Sequence, residues 1–510
     1  MNPQVIARTA PDRPATIMAA TGETMTYGGL DSLSRKLAGL LRRLGYGPGD
    51  HLAMMIDNEI LYHPVAWGAW YAGLYFTPVS TRLTASEVAY LVEDSGSRVF
   101  IASPAYEPLI AELKTELPQV EHWFLTGAGT GLADPLLPLL DAETELVVGP
   151  ADAVGADMLY SSGTTGRPKG IKPRGGAVRD EPNPLASLLT QLYGFDAATR
   201  YLTPAPLYHG SPTKYSMAVH RAGGANIIME GFDAEAALAA IDRHRVTHSQ
   251  WVPTMLHRMA RLPDETKSRY DLSSHRVAVH AAAPCPPELK RQMIDWWGPI
   301  VWEFYAGSEA VGYTSIGSME ALARPGSVGK SVFGDLHILD GEGQPLPPRE
   351  IGHIFFANGP AMEYHKDPAK TARAYNERGW VTLGDMGSLD EEGYLYLADR
   401  KDFMIITGGV NVYPAEIEQL LVMHPGIDDA AVFGIPNEEF GQEVKAVVQP
   451  AAWPADEADY KEEIIAYCRA HLSRIKVPRS VDLSAELPRQ PNGKLYKTAL
   501  RAAYLKESQS

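Results

Sequence analysis

Hydrophobic residues recur along this chain with two different spacings, and the spacings mark its elements. Leu30, Leu33, Leu37, Leu40, Leu41 and Leu44 share one face of a helix, and Gly45 is suited to end it. The apolar run HLAMMI from His51 predicts a strand. Thr84 and Glu87 have the spacing of a capping box, so a helix starts there, and SRVFIAS from Ser97 predicts the next strand. The order then returns: a helix over Ala234 to His244 behind an Asp233 cap, and buried strands in VTHSQWV, RVAVH and IVWEFY. Helices alternating with strands predict an α/β fold of layered, mainly parallel sheets covered on both sides.

The texture changes near residue 400. GGVNVYPAEIE leads into a short helix, AAVFGI and EVKAVVQP read as strands, and a helix spans Asp459 to Leu472. The chain is therefore expected to form a large domain over residues 1–400 and a small α+β domain over 401–510, joined at Asp402.

The uncharged segment Leu61 to Thr81 is nearly long enough to cross a bilayer, but Pro64, Pro78, His63 and Ser80 interrupt it. Its flanks read as ordinary soluble sequence, so it predicts a buried helix running into a strand. Peripheral membrane association stays open. The first residues lack the charged start and apolar run of a secretory signal.

Composition narrows the ligand classes. A chain of 510 residues exceeds what one core usually supports, which favours at least two domains. With 46 basic and 62 acidic residues the formal charge is -16, which opposes general attraction to nucleic acid or anionic lipid, so an anionic ligand must be held locally. The two cysteines, Cys285 and Cys468, have no paired spacing; neither a disulfide framework nor a thiolate metal site is expected, and a cytoplasmic location fits best.

One stretch calls for such an anion. YSSGTTGRPKG, Tyr160 to Gly170, holds three glycines, four aliphatic hydroxyls and two cations. Glycines let backbone N–H groups approach phosphate oxygens, hydroxyls add donors, and Arg167 or Lys169 adds charge. It is not a Walker A loop, because no Ser or Thr follows the lysine and the spacing differs. A hydroxyl-rich surface turn would share much of this composition.

The stretch resembles the phosphate loop of the adenylate-forming enzymes, the superfamily of acyl-CoA synthetases, firefly-type luciferases and peptide-synthetase adenylation domains. Six further segments follow in that family's order: PAPLYHG from Pro204, HAAAP from His280, YAGSE from Tyr305, GWVTLGD from Gly379, ADRKDFMIITGGVNVYPAEIE from Ala398 and PRQPNGKLYK from Pro488. The resemblance is closest to fatty-acid and aryl-acid CoA ligases. It implies ATP, Mg2+ and coenzyme A as the small molecules of the reaction.

Residue by residue, the resemblance assigns Ser161, Ser162, Gly163, Thr164, Thr165, Gly166 and Lys169 to the phosphates, and Glu309 with Thr164 to magnesium. Ala281, Ala282 and Ala283 match small residues beside the adenine, and Tyr305 a ring that stacks on it. Ala306, Gly307 and Ser308 also fall among the nucleotide-binding positions; Ser308, whose hydroxyl would bond the α-phosphate, stands where most relatives carry Thr. Ala306 replaces a usual Gly, so strain is expected there if that turn needs a positive φ. Asp385 and Arg400 correspond to ribose contacts, with Leu383 in a usual threonine position. Lys494 would lie between the carboxylate and the α-phosphate, where a compact cation offsets two repelling anions. Asp402 matches the hinge about which the small domain rotates between half-reactions, and Gly408 and Gly409 match a narrow pantetheine passage. His209 matches a gating position at the acyl pocket, and Tyr208, Trp251, Met255 and Gly307 are pocket candidates; the absent side chain at Gly307 is expected to leave room for a bulky or long acyl group. Each has a plainer structural reading as core, turn or ion pair.

Amino-acid-activating relatives typically carry an Asp where His209 stands, so an α-amino acid is disfavoured. The expected reaction is activation of a hydrophobic acid, fatty, aryl or alicyclic, as acyl-AMP, followed by transfer to CoA. The alternatives are an adenylating enzyme that loads a carrier protein and a nucleotide-binding homologue without turnover. No nucleic-acid partner and no integral membrane segment are expected; the oligomeric state, homodimer included, is not legible.

Overall fold

The computed structural model describes residues 1–161, 168–173, 177–400, 403–489 and 495–507. By contacts the chain forms two compact units: Met1–Trp251 with Leu262–Ala278 and Pro360–Thr371, and Val252–Arg261 with Val279–Gly359 and Ala372–Ser510.

The first unit holds the parallel layers. A six-stranded sheet runs Asp134–Pro135, His122–Leu125, Val99–Ala102, His51–Met55, Tyr75–Pro78 and Ala156–Asp157, every pair parallel. A second set places Pro14–Met18, Ala225–Ile228, Arg200–Thr203 and His248–Trp251 side by side in parallel. The expected helices cover them. The leucine stripe lies in Tyr27–Arg43 behind a Thr26 cap, and Gly45 takes φ 92 just past its end. Thr84 and Glu87 form the capping box of Ala85–Ser95. Asp233 accepts from Ala236 N–H to start Ala234–Arg243.

The uncharged segment is the buried helix Tyr62–Ala72 running into the strand Tyr75–Pro78. Its Gly68 is a contact residue: a Cβ there would come within 2.7 Å of the Leu37 side chain, so only glycine lets this helix approach Tyr27–Arg43 so closely. Among the described residues no helix is long and apolar enough to cross a membrane.

In the second unit one run of strands is antiparallel throughout. Val301–Ala306, Tyr313–Gly317, Ser327–Phe333, Leu395–Arg400, Val381–Leu389, Gly352–Ala357 and Asp335–Leu339 are hydrogen-bonded in that order. The expected parallel order thus holds in those two sets of the first unit and gives way in this run, because most of these strands follow one another without a crossover helix of the length parallel pairing needs. Toward the C-terminus a further sheet pairs Ile427–Asn437 with Gly441–Pro450 around a core that includes Ile405, Val412, Ile417, Val432 and Ile464.

Candidate active site

In the first unit the two strands flanking the glycine-rich stretch pair antiparallel, with Tyr160 opposite Gly170 and Ser161 opposite Lys169. Gly170 has no room for a side chain, since a Cβ would meet Met158 Cε at 2.5 Å and the Tyr160 ring at 3.1 Å. Tyr160 donates to Asp94 at 2.7 Å and Tyr90 to Pro168 O at 2.9 Å, so the shoulders of the stretch are fixed from one helix. Ser162, Gly163, Thr164, Thr165 and Gly166 lie outside the described residues, as does the side chain of Ser161. Lys169 forms an ion pair with Asp367 at 3.3 Å.

The PAPLYHG segment is held by its neighbours' polar groups. Asn58, 6% exposed, accepts from Leu207 N–H at 2.7 Å and donates to Ala205 O at 3.1 Å and Met229 O at 2.8 Å. Tyr62 donates to Leu207 O at 2.7 Å, and Thr213 donates to the same oxygen. Tyr208 and His209 follow at once, their rings 4.7 Å apart. Burial pushes the His209 imidazole down to about 3, so it is neutral at physiological pH and a weak base. A gating part is compatible with that; general-base work is not favoured. Trp251 is fully buried and donates to Ser249 Oγ at 2.6 Å, and that hydroxyl lies 2.6 Å from His275 Nε2.

In the second unit the nucleotide candidates converge. Tyr305 donates to Asp385 Oδ2 at 2.7 Å, and Asp385 pairs in register with Arg400, whose side chain lies outside the described residues. The strain expected at Ala306 is absent, for Ala306 ends the strand Val301–Ala306 and is not among the residues with positive φ. The left-handed residues are instead Ala282, φ 78, within the adenine segment, and Ala310, φ 55, just after Glu309. A non-glycine residue there costs roughly 1–2 kcal/mol, because its Cβ crowds the following carbonyl oxygen.

The room expected beside Gly307 is occupied. A Cβ on Gly307 would lie 2.7 Å from Glu309 Oε2 and 2.8 Å from both methyl carbons of Leu383. Met255 is buried on the helix Pro253–Ala260, and Ser308 is exposed.

A buried ion pair missed by sequence reasoning braces this region. Lys290, on the helix Pro287–Trp297 after HAAAP, bonds Glu303 on the strand that carries Tyr305; both are about 5% exposed. Only the unusual sight of a lysine on an inward helical face could have flagged it. Cys285 is buried nearby, its thiol pushed up to about 12 by burial, and Cys468 is likewise buried and free.

Gly408 and Gly409 form the turn between Ile405–Thr407 and Val410–Val412, with φ 55 and 79. Two successive positive φ values suit a tight hairpin turn of the primed type, so the glycines have a structural reason. Gly408 N–H donates to Phe440 O at 2.9 Å, and the Arg479 guanidinium lies 4.1 Å over the Phe440 ring, a second feature the sequence did not signal. Asp402 and Lys494 lie outside the described residues.

The donor set bears on magnesium. Among the described residues no group of three or more His, Cys, Asp or Glu could hold a metal. Mg2+ keeps waters and needs one or two carboxylates beside substrate phosphates, and the Glu309 carboxylate is of that kind.

Comparison with known proteins decides the family. The family model described as AMP-binding enzyme matches residues 4–363, and that of the AMP-binding enzyme C-terminal domain matches 416–494. The chain belongs to the AMP-binding enzyme family. It is 31% identical over 503 residues to the long-chain-fatty-acid–CoA ligase FadD13 of Mycobacterium tuberculosis, covering 98% of this chain and 97% of the relative. It is 32% identical over 500 residues to a feruloyl-CoA synthase of Amycolatopsis sp, 96% of each chain. Among solved structures, ATP-bound MatB from Rhodopseudomonas palustris superposes with a TM-score of 0.83 at 26% identity, covering 99% of this chain and all of the other. The reaction class of this AMP-binding enzyme is accordingly that of an ATP-dependent acid–CoA ligase working through an acyl-AMP, with ATP, Mg2+ and CoA as its small molecules.

Proposed function

We propose that the enzyme activates a hydrophobic carboxylate, fatty, aryl or alicyclic, and passes the acyl group to the thiol of free CoA. The observation that carries this choice is His209, a part-buried imidazole with its Nε2 enclosed, held neutral by burial where pairing with a substrate ammonium would call for a carboxylate. An acid with an apolar body suits such surroundings; a zwitterion does not.

In the first half-reaction a carboxylate oxygen attacks the α-phosphorus of ATP; the O–P bond forms, the bond to the β-phosphate bridge breaks, and pyrophosphate leaves. Lys494 sets a positive charge between the two anions as they meet. Ser161 to Gly166, Lys169 and Ser308 hold phosphate oxygens. Ala282, Ala283, Ala306 and Tyr305 frame the adenine, and Asp385 with Arg400 the ribose. Glu309 and Thr164 would hold magnesium, which when bound neutralises phosphate charge. In the second half-reaction the thiol gives up its proton to solvent, its sulfur attacks the acyl carbonyl, the C–S bond forms, and AMP departs with the electron pair of the broken C–O bond. Gly408 and Gly409 admit the thin pantetheine arm, and Arg479 offers a cation beside them. Residues 401–510 act as the mobile domain about Asp402. A cytoplasmic setting belongs to the same reading, supported by two buried, unpaired cysteines. Association into a homodimer is left to a sizing measurement.

The test is carboxylate-dependent pyrophosphate exchange across a panel of acids, followed by CoA-dependent consumption of the adenylate. Hydrophobic acids should support exchange and amino acids should not. Lys494→Ala should abolish exchange yet still convert a supplied acyl-adenylate with CoA; equal loss of both halves would contradict the roles given.

A further inference from the structure

The space next to Gly307 is too small for the part the sequence suggests. Glu309 Oε2 and both Leu383 methyls converge to within 2.8 Å of the point a Cβ would occupy, and 3.0 Å is a separation real Cβ atoms do not go below. We infer that Gly307 is a positioning residue for the Glu309 carboxylate: the glycine leaves the gap into which that carboxylate fits, and Leu383 closes the gap from the other side. The inference rests on the proposed reading that Glu309 supports magnesium.

Three features support it. First, Gly307 is not among the residues with positive φ, so backbone conformation is not what demands a glycine here. Crowding is. Second, Leu383 stands on the strand Val381–Leu389 two residues before Asp385, whose carboxylate is held by Tyr305, so the leucine is carried by a segment fixed at the nucleotide end. Third, a branched apolar side chain against one flank of a carboxylate restricts where that carboxylate can swing, and offers it no competing hydrogen-bond donor, which the usual threonine at this position would. The departure at Leu383 and the glycine at 307 are thus two halves of one packing solution. Adding a methyl at 307 forces Glu309 or Leu383 aside; removing the Leu383 methyls opens the space again.

Equilibrium binding of ATP, without acid and at stepped Mg2+, reads the carboxylate's position without turnover. Gly307→Ala should raise the Mg2+ needed for half-maximal ATP binding by about tenfold, leaving ATP binding in excess chelator unchanged. Leu383→Ala alone should raise it about threefold, by removing the wall. Gly307→Ala with Leu383→Ala should need less Mg2+ than Gly307→Ala alone, because the added methyl takes the vacated volume. Glu309→Gln is the control. If it leaves the Mg2+ dependence unchanged, the magnesium reading of Glu309 fails. If it abolishes that dependence while Gly307→Ala behaves as wild type, or shifts only which acids are accepted, Gly307 is a pocket residue and the inference is overturned. The Leu383→Ala measurement decides the matter on its own should Gly307→Ala not fold: an unchanged Mg2+ requirement there also overturns it.

Discussion

The Tyr305 hydroxyl donates to Oδ2 of Asp385 at 2.7 Å, and Asp385 lies opposite Arg400 across two antiparallel strands. On the proposed reading Asp385 receives two ribose hydroxyls, and a carboxylate with that task gains by being fixed in advance, because the cost of ordering it then falls on folding rather than on binding. Tyr305 also stacks near Phe356, ring centroids 6.3 Å apart, so the phenol itself is held. On the proposed reading the hydroxyl therefore acts through Asp385, while the ring serves the adenine.

Tyr305→Phe separates the two parts. The ring is kept and one hydrogen bond to a charged group is lost, of order 1.5–3 kcal/mol when such a bond is buried and less when partly solvated. We expect KM for ATP to rise about tenfold with the acid KM little changed. Measuring both constants checks this; a matching rise for the acid would mean a general loosening of the site.

The Lys290–Glu303 pair joins the helix after the adenine segment to the strand that bears Tyr305. Lys290→Met removes one charge and leaves the other buried, which typically costs ~3–5 kcal/mol. A large drop in the thermal midpoint is expected, and adding Glu303→Leu should recover most of it, because an apolar pair of similar volume needs no desolvation of charge. Failure of the second change to restore stability would show that the pair is needed for more than its own neutralisation.

Much of this architecture could be read from residues, and the unread part has a common physical cause. The leucine stripe and the Thr84–Glu87 box are local patterns, so their helices were legible with their starts. Motifs placed Tyr305, Asp385 and Gly307 one at a time. What no motif carries is shown by two contacts: Tyr305 meets Asp385, and Leu383 lies at Gly307, between segments far apart in sequence and not neighbours in the sheet order, which only the folded chain brings together. Leu383 was visible as a departure, but its direction was not. The antiparallel run after Tyr313 was likewise illegible as such, since the direction of a strand depends on its connections and not on its own composition.

Asn58 shows a third kind of hidden residue, one that binds backbone alone. Its amide satisfies Leu207 N–H, Ala205 O and Met229 O, and Leu207 immediately precedes Tyr208 and His209. Asn58→Ala leaves buried groups without partners at ~1–3 kcal/mol each, so the segment should shift rather than stay. The acid KM should rise by more than the ATP KM. Tyr62→Phe should be milder, because Thr213 still donates to Leu207 O. Comparison of the two constants in the two variants tests the ranking; equal effects on acid and ATP would place the Asn58 network outside acid binding.

The core also makes stability depend on pH. His63 and His220 are fully buried in the first unit with ring centroids 4.6 Å apart. Trp67 Nε1–H donates to His220 Nδ1 at 3.2 Å, and His220 Nε2 donates to Ala15 O at 3.0 Å, an arrangement open only to the neutral ring. Burial holds His220 down to about 4, and burial together with His220 holds His63 well below its ordinary value of 6.5. Both folded values lie below the unfolded one. The unfolded chain therefore binds more protons at mildly acidic pH, so the stability these groups contribute is full above about 6.5 and is lost as pH falls toward the folded values, by up to ~1.4 kcal/mol per pH unit for each. The thermal midpoint should fall between about pH 7 and pH 5. His220→Gln, which can still accept from Trp67 and has no proton to gain, should flatten that fall even if it lowers the midpoint at neutral pH. An unchanged slope in this variant would show that the acid sensitivity arises elsewhere, with other histidines that burial holds down, among them His209 and His275 at about 3 and His248 at about 4, the next to substitute.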